Sequence, residues 1–393
     1  MYERMKEVKL FHTADWHLGK LVQGVYMTED QAYVLEQFIE DVKQEQPDAV
    51  IIAGDLYDRA IPPTEAVELL NDILERLVLE LHVPVLAIAG NHDSPDRIDF
   101  AVKLMERNGL YLCGQLRYPI EPIVLHDDAG EVHFYLIPYA DPSIVRHVLG
   151  QEHIRSHQDA MEAIVAHIVE NWDASARHVL IAHAFVTPYG EAEQNTSDSE
   201  RPLSIGGAEY VSAELLKAFD YVALGHLHQA HHVGIEHVRY AGSPLKYSIS
   251  EEKHHKGYLV VEVGSDGVEV RKTDLTARRD MRRVVGTIAD IERYPRNEDY
   301  VYVTLTDENP VLFPMEKIRA VYPNAMHVER IAGQSKTAGE EAEQPAAAII
   351  KQELKPLELF RAFYQEVRGA ELSSDKEKLF AEAYELLLKE SGE

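Results

Sequence analysis

The chain has 393 residues, 45% of them hydrophobic and 27% charged, with a formal net charge of −28. At about 100–200 residues per domain this is length for two or three domains with ample cores, and the composition is that of an ordinary globular protein. Cys113 is the single cysteine, which excludes an intramolecular disulfide and a cysteine-built zinc site, so any metal must be held by His, Asp, Glu or Asn.

Apolar, β-rich runs at 8–11, 49–53 and 85–89 are continuous rather than alternating, the pattern of strands buried on both faces. Helical patterns fall between them. Leu35, Phe38, Ile39 and Val42 mark one face, entered through a capping box at Thr28 and Gln31, and Val67, Leu70, Leu74 and Leu77 mark another. The β-α-β-α-β layout predicts an α/β sheet. From Tyr118 to about Lys272 further strands follow at 132–137, 179–182, 221–224 and 258–263, with a helix near 159–170, and predict a second sheet stacked on the first. Residues 281–331 read as a small α/β module whose clearest strand is 300–305.

Residues 332–347, rich in Gly, Gln, Glu, Ala and Ser, read as a linker. Two amphipathic helices are expected beyond it. The first carries Ile349, Ile350, Leu357, Phe360, Phe363 and Val367, with Pro356 at its start or kink. The second carries Leu379, Phe380, Ala383, Leu386 and Leu387 behind a capping box at Ser374 and Glu377. The expected domains are therefore 1–275, 276–331, a linker at 332–347 and helices at 348–393. The charged start of the chain lacks an apolar run of signal-peptide length, and nothing later approaches the roughly 18 apolar residues of a membrane span, so a cytoplasmic location is expected.

Residues suited to chemistry sit just after the apolar strands: Asp15 and His17 in Asp-Trp-His, Asp55 in Gly-Asp-Leu-Tyr-Asp, Asn91 and His92 in Gly-Asn-His-Asp, His183 in Ala-His-Ala, and His226 and His228 in Gly-His-Leu-His. Strand C-termini converge on one edge of an open sheet, where the ligand sites of such folds form. Leaving His92 aside, the set offers two carboxylates, one amide oxygen and four imidazoles. That mixture suits Mn²⁺, Fe²⁺ or Zn²⁺ better than Mg²⁺ or Ca²⁺, which prefer all-oxygen shells. Gly54, Gly90 and Gly225 are expected to let the backbone turn tightly before each ligand. Trp16 and Tyr57 read as packing residues, and His12, His231, His232, His254 and His255 as surface or structural ones.

The order Asp-x-His, Gly-Asp-x-x-Asp, Gly-Asn-His-Asp, His, Gly-His-x-His resembles the calcineurin-like metallophosphoesterases over about residues 8–275. His-Thr-Ala-Asp-Trp-His-Leu-Gly at 12–19, Ala-Gly-Asp-Leu-Tyr-Asp at 53–58 and Tyr-Ala-Gly-Ser-Pro-Leu-Lys-Tyr-Ser at 240–248, with the module and helical tail, are similar to the SbcD family, bacterial relatives of the Mre-type repair nucleases. The resemblance implies two stacked mixed β-sheets flanked by helices in four layers, with a small α/β capping domain and a C-terminal helical arm. It implies two Mn²⁺ per chain, Fe²⁺ or Zn²⁺ being alternatives. One would be held by Asp15, His17, Asp55 and His228, the other by Asp55, Asn91, His183 and His226, with His92 protonating the leaving oxygen.

The implied activity is a DNA nuclease, a double-strand 3′–5′ exonuclease and single-strand endonuclease acting at ends and hairpins in repair, recombination and replication. The implied partners are DNA and SbcC, an ATPase with a long coiled coil, in a heterotetramer containing a homodimer of this chain, in the cytoplasm at the nucleoid. Many Mre-type relatives carry His where this chain has Asp58, so Asp58 is instead a candidate acceptor that orients a metal-binding His. The negative net charge runs against a bare DNA-binding surface, a deficit that bound metals and a partner would offset. The one basic cluster is Arg271, Lys272, Arg278, Arg279, Arg282 and Arg283, in which Arg278, Arg279, Arg282 and Arg283 are the candidates for DNA contact and a solvated surface stretch is the alternative. The rival function is a small-molecule phosphodiesterase or protein phosphatase of the same fold, to which Asp58-Arg59 also fits.

Overall fold

Alternation along the central strands sets the layering. Strand β1 (Val8–Thr13) puts Val8 and Leu10 into one core and Phe11 into another. Strand β2 (Ala49–Ile52) repeats this, with Ala49 and Ile51 on the first side and Val50 and Ile52 on the second. Both faces are apolar, so both must be covered. Phe11, Val50 and Ile52 are covered by helix α1 (Thr28–Glu45), through Val34, Leu35, Phe38 and Val42, and by helix α2 (Thr64–Glu75). The other face meets Val132, Phe134, Val179 and Ile181 of a second sheet.

The first sheet continues through β3 (Val85–Ile88) and β4 (Leu110–Cys113), each parallel to its neighbour. The second contains β5 (Ile123–Asp127), β6 (Gly130–Ile137), β7 (Arg177–His183), β8 (Tyr221–Gly225), β9 (His231–Val233) and β10 (Ile235–Tyr240), in the order β9-β10-β8-β7-β6-β5. Helix α3 (His157–Asn171) covers its outer face and is entered through a Ser156–Asp159 capping box. The result is a four-layer α/β fold of two stacked mixed sheets. The computed structural model describes residues 7–190, 197–198, 200, 210–331, 357, 360–361, 364, 373 and 376–380. None of its described helices is long and apolar enough to cross a membrane.

Three expectations need correction. The strand expected at 258–263 is β11 (Gly257–Val263), and it belongs to the first sheet, antiparallel to β1, with β12 (Val268–Asp274) completing the order β12-β11-β1-β2-β3-β4. The capping box at Thr28 and Gln31 does not form. Met27 is the N-cap without a side-chain bond, and Gln31 is buried with other partners. The buried stripe of α2 runs through Ala66, Leu70 and Ile73 and continues to Leu77, whereas Val67 is 43% exposed.

A module of three parallel strands follows: β13 (Met281–Gly286), β14 (Tyr300–Leu305) and β15 (His327–Arg330), with helix α4 (Pro314–Val321). Val284, Ile291, Val301, Val303 and Ile318 form its own core. Its base rests on the body through Met281 and Tyr300 against Val22 and Met27. There, buried Asp30 on α1 accepts from the Tyr300 hydroxyl at 2.6 Å and Arg279 at 2.8 Å.

Contacts divide the chain into two units, Met1–Gly333 and Gln334–Glu393. In the second, Phe360 stacks on Phe380 with ring centroids 4.2 Å apart, and Arg361 pairs with Glu377 at 2.6 and 2.9 Å. The expected linker at 332–347, Pro356 and the capping Ser374 lie outside the described residues.

Phe38 is buried among Phe11, Trp16 and Tyr258, with ring centroids 5.9, 6.3 and 4.9 Å away. Phe38→Ala is expected to cost about 3–5 kcal/mol of stability. Urea unfolding followed by tryptophan fluorescence measures this, and an unshifted midpoint would show that the aromatic cluster does not support the sheet.

Candidate metal centre

Five strand ends deliver side chains to the C-terminal edges of the central strands. Asp15 and His17 follow β1, Asp55 follows β2, Asn91 and His92 follow β3, His183 ends β7, and His226 and His228 follow β8. Four of these residues have left-handed or otherwise positive φ: Asp15 at 54°, His17 at 45°, Asp55 at 51° and His226 at 110°. Such conformations cost about 1–3 kcal/mol each in a non-glycine residue and persist only when surroundings fix them. Backbone bonds do the fixing here: Asp15 N–H donates to Gly54 O at 3.1 Å and His17 N–H to Asp55 O at 2.9 Å.

The glycines divide by role. Gly54 does turn, at φ 93°. Gly90 and Gly225 do not have positive φ. They are small because a Cβ would lie 2.1 Å from Asp55 Oδ1 at Gly90 and 1.8 Å from Ala53 O at Gly225. The expectation of three tight turns is corrected to one turn and two close approaches.

Asp55 Oδ2 lies 3.5 Å from His17 Nε2 and 3.5 Å from His183 Nε2, so this one carboxylate oxygen faces both halves of the site. On one side, His17 Nε2 and His228 Nε2 are 3.1 Å apart, and Asp15, His17 and His228 can converge on one point. On the other, Asn91 Oδ1 is 3.0 Å from His183 Nε2, and the rings of His183 and His226 are 5.5 Å apart. All these residues except Asn91 are buried.

Burial, and then the charge of Asp55, push the Asp15 carboxyl well above its ordinary range, and burial raises Asp55 as well. Burial drives the imidazoles the other way. His17, His226 and His228 fall below the usual value and His183 falls to about 4, so their lone pairs are available. Two mutually repelling carboxylates among four neutral imidazoles are a donor set that divalent cations satisfy, and the residues therefore fit a metal pair.

Several supporting residues are not assigned this role from the sequence. Asp93 accepts from the backbone N–H groups of Leu56, Tyr57 and Gly90 at 3.1, 2.9 and 2.9 Å, tying the Asp55 loop to the Asn91 loop. Gln31 donates to the carbonyls of Trp16 and His17 at 3.0 and 2.8 Å, and the Tyr247 hydroxyl also bonds Trp16 O. Glu251 Oε1 is 3.2 Å from His228 Nδ1, and Lys256 is 2.5 Å from Glu251 Oε2. Asp93 stands in the Gly-Asn-His-Asp motif and Tyr247 in the 240–248 segment, whereas Gln31 reads as a cap and Glu251 and Lys256 carry no signal at all.

His92 Nδ1 is 2.7 Å from the carbonyl of Asp58, which can only accept, so that nitrogen carries the proton. The Asp58 carboxylate stands 3.8 Å from His17 Nδ1, beyond hydrogen-bond reach, and is held by Lys20 at 2.7 Å. Trp16 is buried with its N–H on Thr13 Oγ1 at 2.9 Å, a packing residue as expected. His12, expected to be a surface or structural residue, is fully buried 2.9 Å from the Tyr221 hydroxyl. Of the four arginines, Arg279 is committed to Asp30 and Arg282 to Asp299, both at 2.8 Å, while Arg278 and Arg283 stand about half exposed in looser pairs with Glu29 and Glu252, at 3.8 and 3.9 Å.

Residues 8–230 match the family model of the calcineurin-like phosphoesterases, and residues 277–368 match the type 5 capsule protein repressor C-terminal domain. A protein of Staphylococcus saprophyticus named as the SbcD component of the nuclease SbcCD is 32% identical over 389 residues, 98% of this chain and 100% of that protein. Among solved structures, a Thermus thermophilus protein aligns with a TM-score of 0.38 at 14% identity, covering 68% of this chain and 99% of its own. A dimetal phosphatase from Danio rerio aligns with a TM-score of 0.42 at 12% identity, covering 69% and 98%. The chain belongs to the calcineurin-like phosphoesterases and is a metal-dependent phosphodiesterase. Within them it is a member of the SbcD family of nuclease subunits, as its identity over nearly the whole of both chains shows.

Because Asp55 Oδ2 faces both halves, Asp55→Ala is expected to abolish activity and drop metal content below two ions per chain. Elemental analysis of the purified variant checks this, and two tightly held ions would reject a bridging carboxylate.

Proposed function

We propose that this chain is the Mn²⁺-dependent nuclease subunit of an SbcCD-type complex, hydrolysing DNA phosphodiester bonds at ends and hairpins in repair, recombination and replication, in the cytoplasm at the nucleoid. The observation that carries the reading is the placement of Asp55 between two sets of donors, Asp15, His17 and His228 on one side and Asn91, His183 and His226 on the other. The staphylococcal relative, named as part of the nuclease SbcCD and matching end to end, supports the substrate class. Activity on duplex ends as a 3′–5′ exonuclease and on single strands as an endonuclease belongs to the same proposal.

A pair of divalent ions held by these residues would supply positive charge for a phosphodiester and acidify water. The chain's own residues do the rest. With Nδ1 protonated and bonded to Asp58 O, His92 turns Nε2 to the task of carrying the proton that the leaving sugar oxygen requires. Asp55 steadies it by accepting the His92 backbone N–H at 2.9 Å. Lys20 holds the Asp58 carboxylate, and with it the loop whose carbonyl orients His92. Arg278 and Arg283 are the arginines of the module best placed to meet a DNA backbone, since their pairs with Glu29 and Glu252 are long and half exposed. The helices of 348–393, following the linker at 332–347, are the docking arm for the SbcC-type ATPase, within an assembly that pairs two copies of this chain.

Hydrolysis of linear duplex DNA, bis-para-nitrophenyl phosphate and para-nitrophenyl phosphate with Mn²⁺, with and without the ATPase partner, tests the reading. DNA and the diester are expected to be cleaved and the monoester spared, and a preference for the monoester would favour a phosphatase instead. His92→Gln is expected to lose about 10²–10⁴-fold in rate while keeping both metals and DNA affinity. A near wild-type rate with full metal content would remove His92 from the proton transfer. Truncation after Ala347 is expected to leave a folded, metal-loaded nuclease that no longer co-purifies with its ATPase, and unchanged co-purification would place the docking surface elsewhere.

A further inference from the structure

The imidazoles of the site are not backed alike. His183 has its Nδ1 2.9 Å from the carbonyl of Ala53, a neutral acceptor. His228 has its Nδ1 3.2 Å from Glu251 Oε1, an anionic one, and both residues are buried. Glu251 is held as the carboxylate by Lys256, whose ammonium is also buried and sits 2.5 Å from Oε2. The remaining Lys256 donors reach His228 O and Ser243 Oγ, each at 2.8 Å. One lysine therefore fixes both the backbone of His228 and the acid behind its ring.

A carboxylate accepting from the far nitrogen of an imidazole fixes its tautomer and orientation and makes the near nitrogen a stronger donor. That near nitrogen, His228 Nε2, lies 3.1 Å from His17 Nε2 in the half of the site that also contains Asp15. Asp15 and Asp55 can converge with His183 as well as within this half, so the carboxylates alone do not separate the two sites, whereas the anionic backing of His228 by Glu251 does. That backing favours a cation on the side of His228.

We infer that Glu251, locked by Lys256, is the positioning residue that makes the two ion sites unequal: the ion among Asp15, His17, Asp55 and His228 is bound more tightly than its neighbour. The inference rests on the two-ion reading above. Neither Glu251 nor Lys256 belongs to the proposed ligand set, and both act through His228.

Titration of the metal-free full-length protein with Mn²⁺, reading free ion by electron paramagnetic resonance, separates the alternatives. The wild type is expected to bind two ions in two classes. Glu251→Gln is expected to weaken only the tighter class, by about 10–100-fold, leaving the weaker one unchanged. Equal weakening of both classes, or no change in either, would overturn the inference. Should E251Q fail to fold with Lys256 left unpaired, the double variant E251Q/K256M removes both charges together and carries the same expectation. A double variant that also fails to fold would make the pair purely structural and overturn it too. Fewer than two ions on the wild type would instead bring down the two-ion reading itself, and the inference with it.

Discussion

Two carboxylates buried in one pocket repel each other, and most of the molecule is arranged around that repulsion. Asp15 and Asp55 arrive on neighbouring strands of a sheet whose faces are both covered, so water cannot dilute their charge. The fold answers partly with backbone dipoles. Asp15 accepts the His226 N–H at 2.9 and 3.1 Å, and Asp55 accepts that of His92 at 2.9 Å. Each acid thereby draws in the loop that carries the next ligands. The rest of the compensation must come from cations, which makes metal binding and the stability of this edge of the sheets one and the same matter.

The first turn of α1 links that edge to the module. Asp30 reaches outward to Arg279 and Tyr300 at the base of the module, and Gln31, the next residue, reaches inward to the carbonyls of Trp16 and His17. Consecutive residues of one helical turn hold the module on one side and a metal-binding loop on the other. The short rigid turn leaves little slack between them.

Much of this was legible in the sequence because the strands are unmixed apolar runs and each ends on a residue that has no business in a core. The continuous runs at 8–11, 49–53 and 85–89 marked strands within two residues of those observed, and Asp15, Asp55 and Asn91 stood out by following them, as His226 did by following the run at 221–224. What was not legible depended on three-dimensional return. Nothing local says that residues 257–263 rejoin β1, because a strand buried on both faces looks the same in either sheet. Gln31 read as a capping residue because its spacing from Thr28 is the capping spacing, and only the folded loop of Trp16 and His17 gives its amide better partners. Glu251 and Lys256 lie in an ordinary charged stretch, Glu-Glu-Lys-His-His-Lys, from which no spacing rule selects a buried pair.

The pairing of β1 with β11 also bears on how the chain is made. Val8 lies opposite Val263, so one edge of β1 has no hydrogen-bonding partner until roughly 250 further residues have left the ribosome. At about 5–20 residues per second that interval is roughly 12–50 s. Throughout it a strongly apolar strand presents open amides and carbonyls beside an unfinished sheet, the kind of edge that recruits other nascent chains. The enzyme's catalytic edge can therefore be completed only late in synthesis.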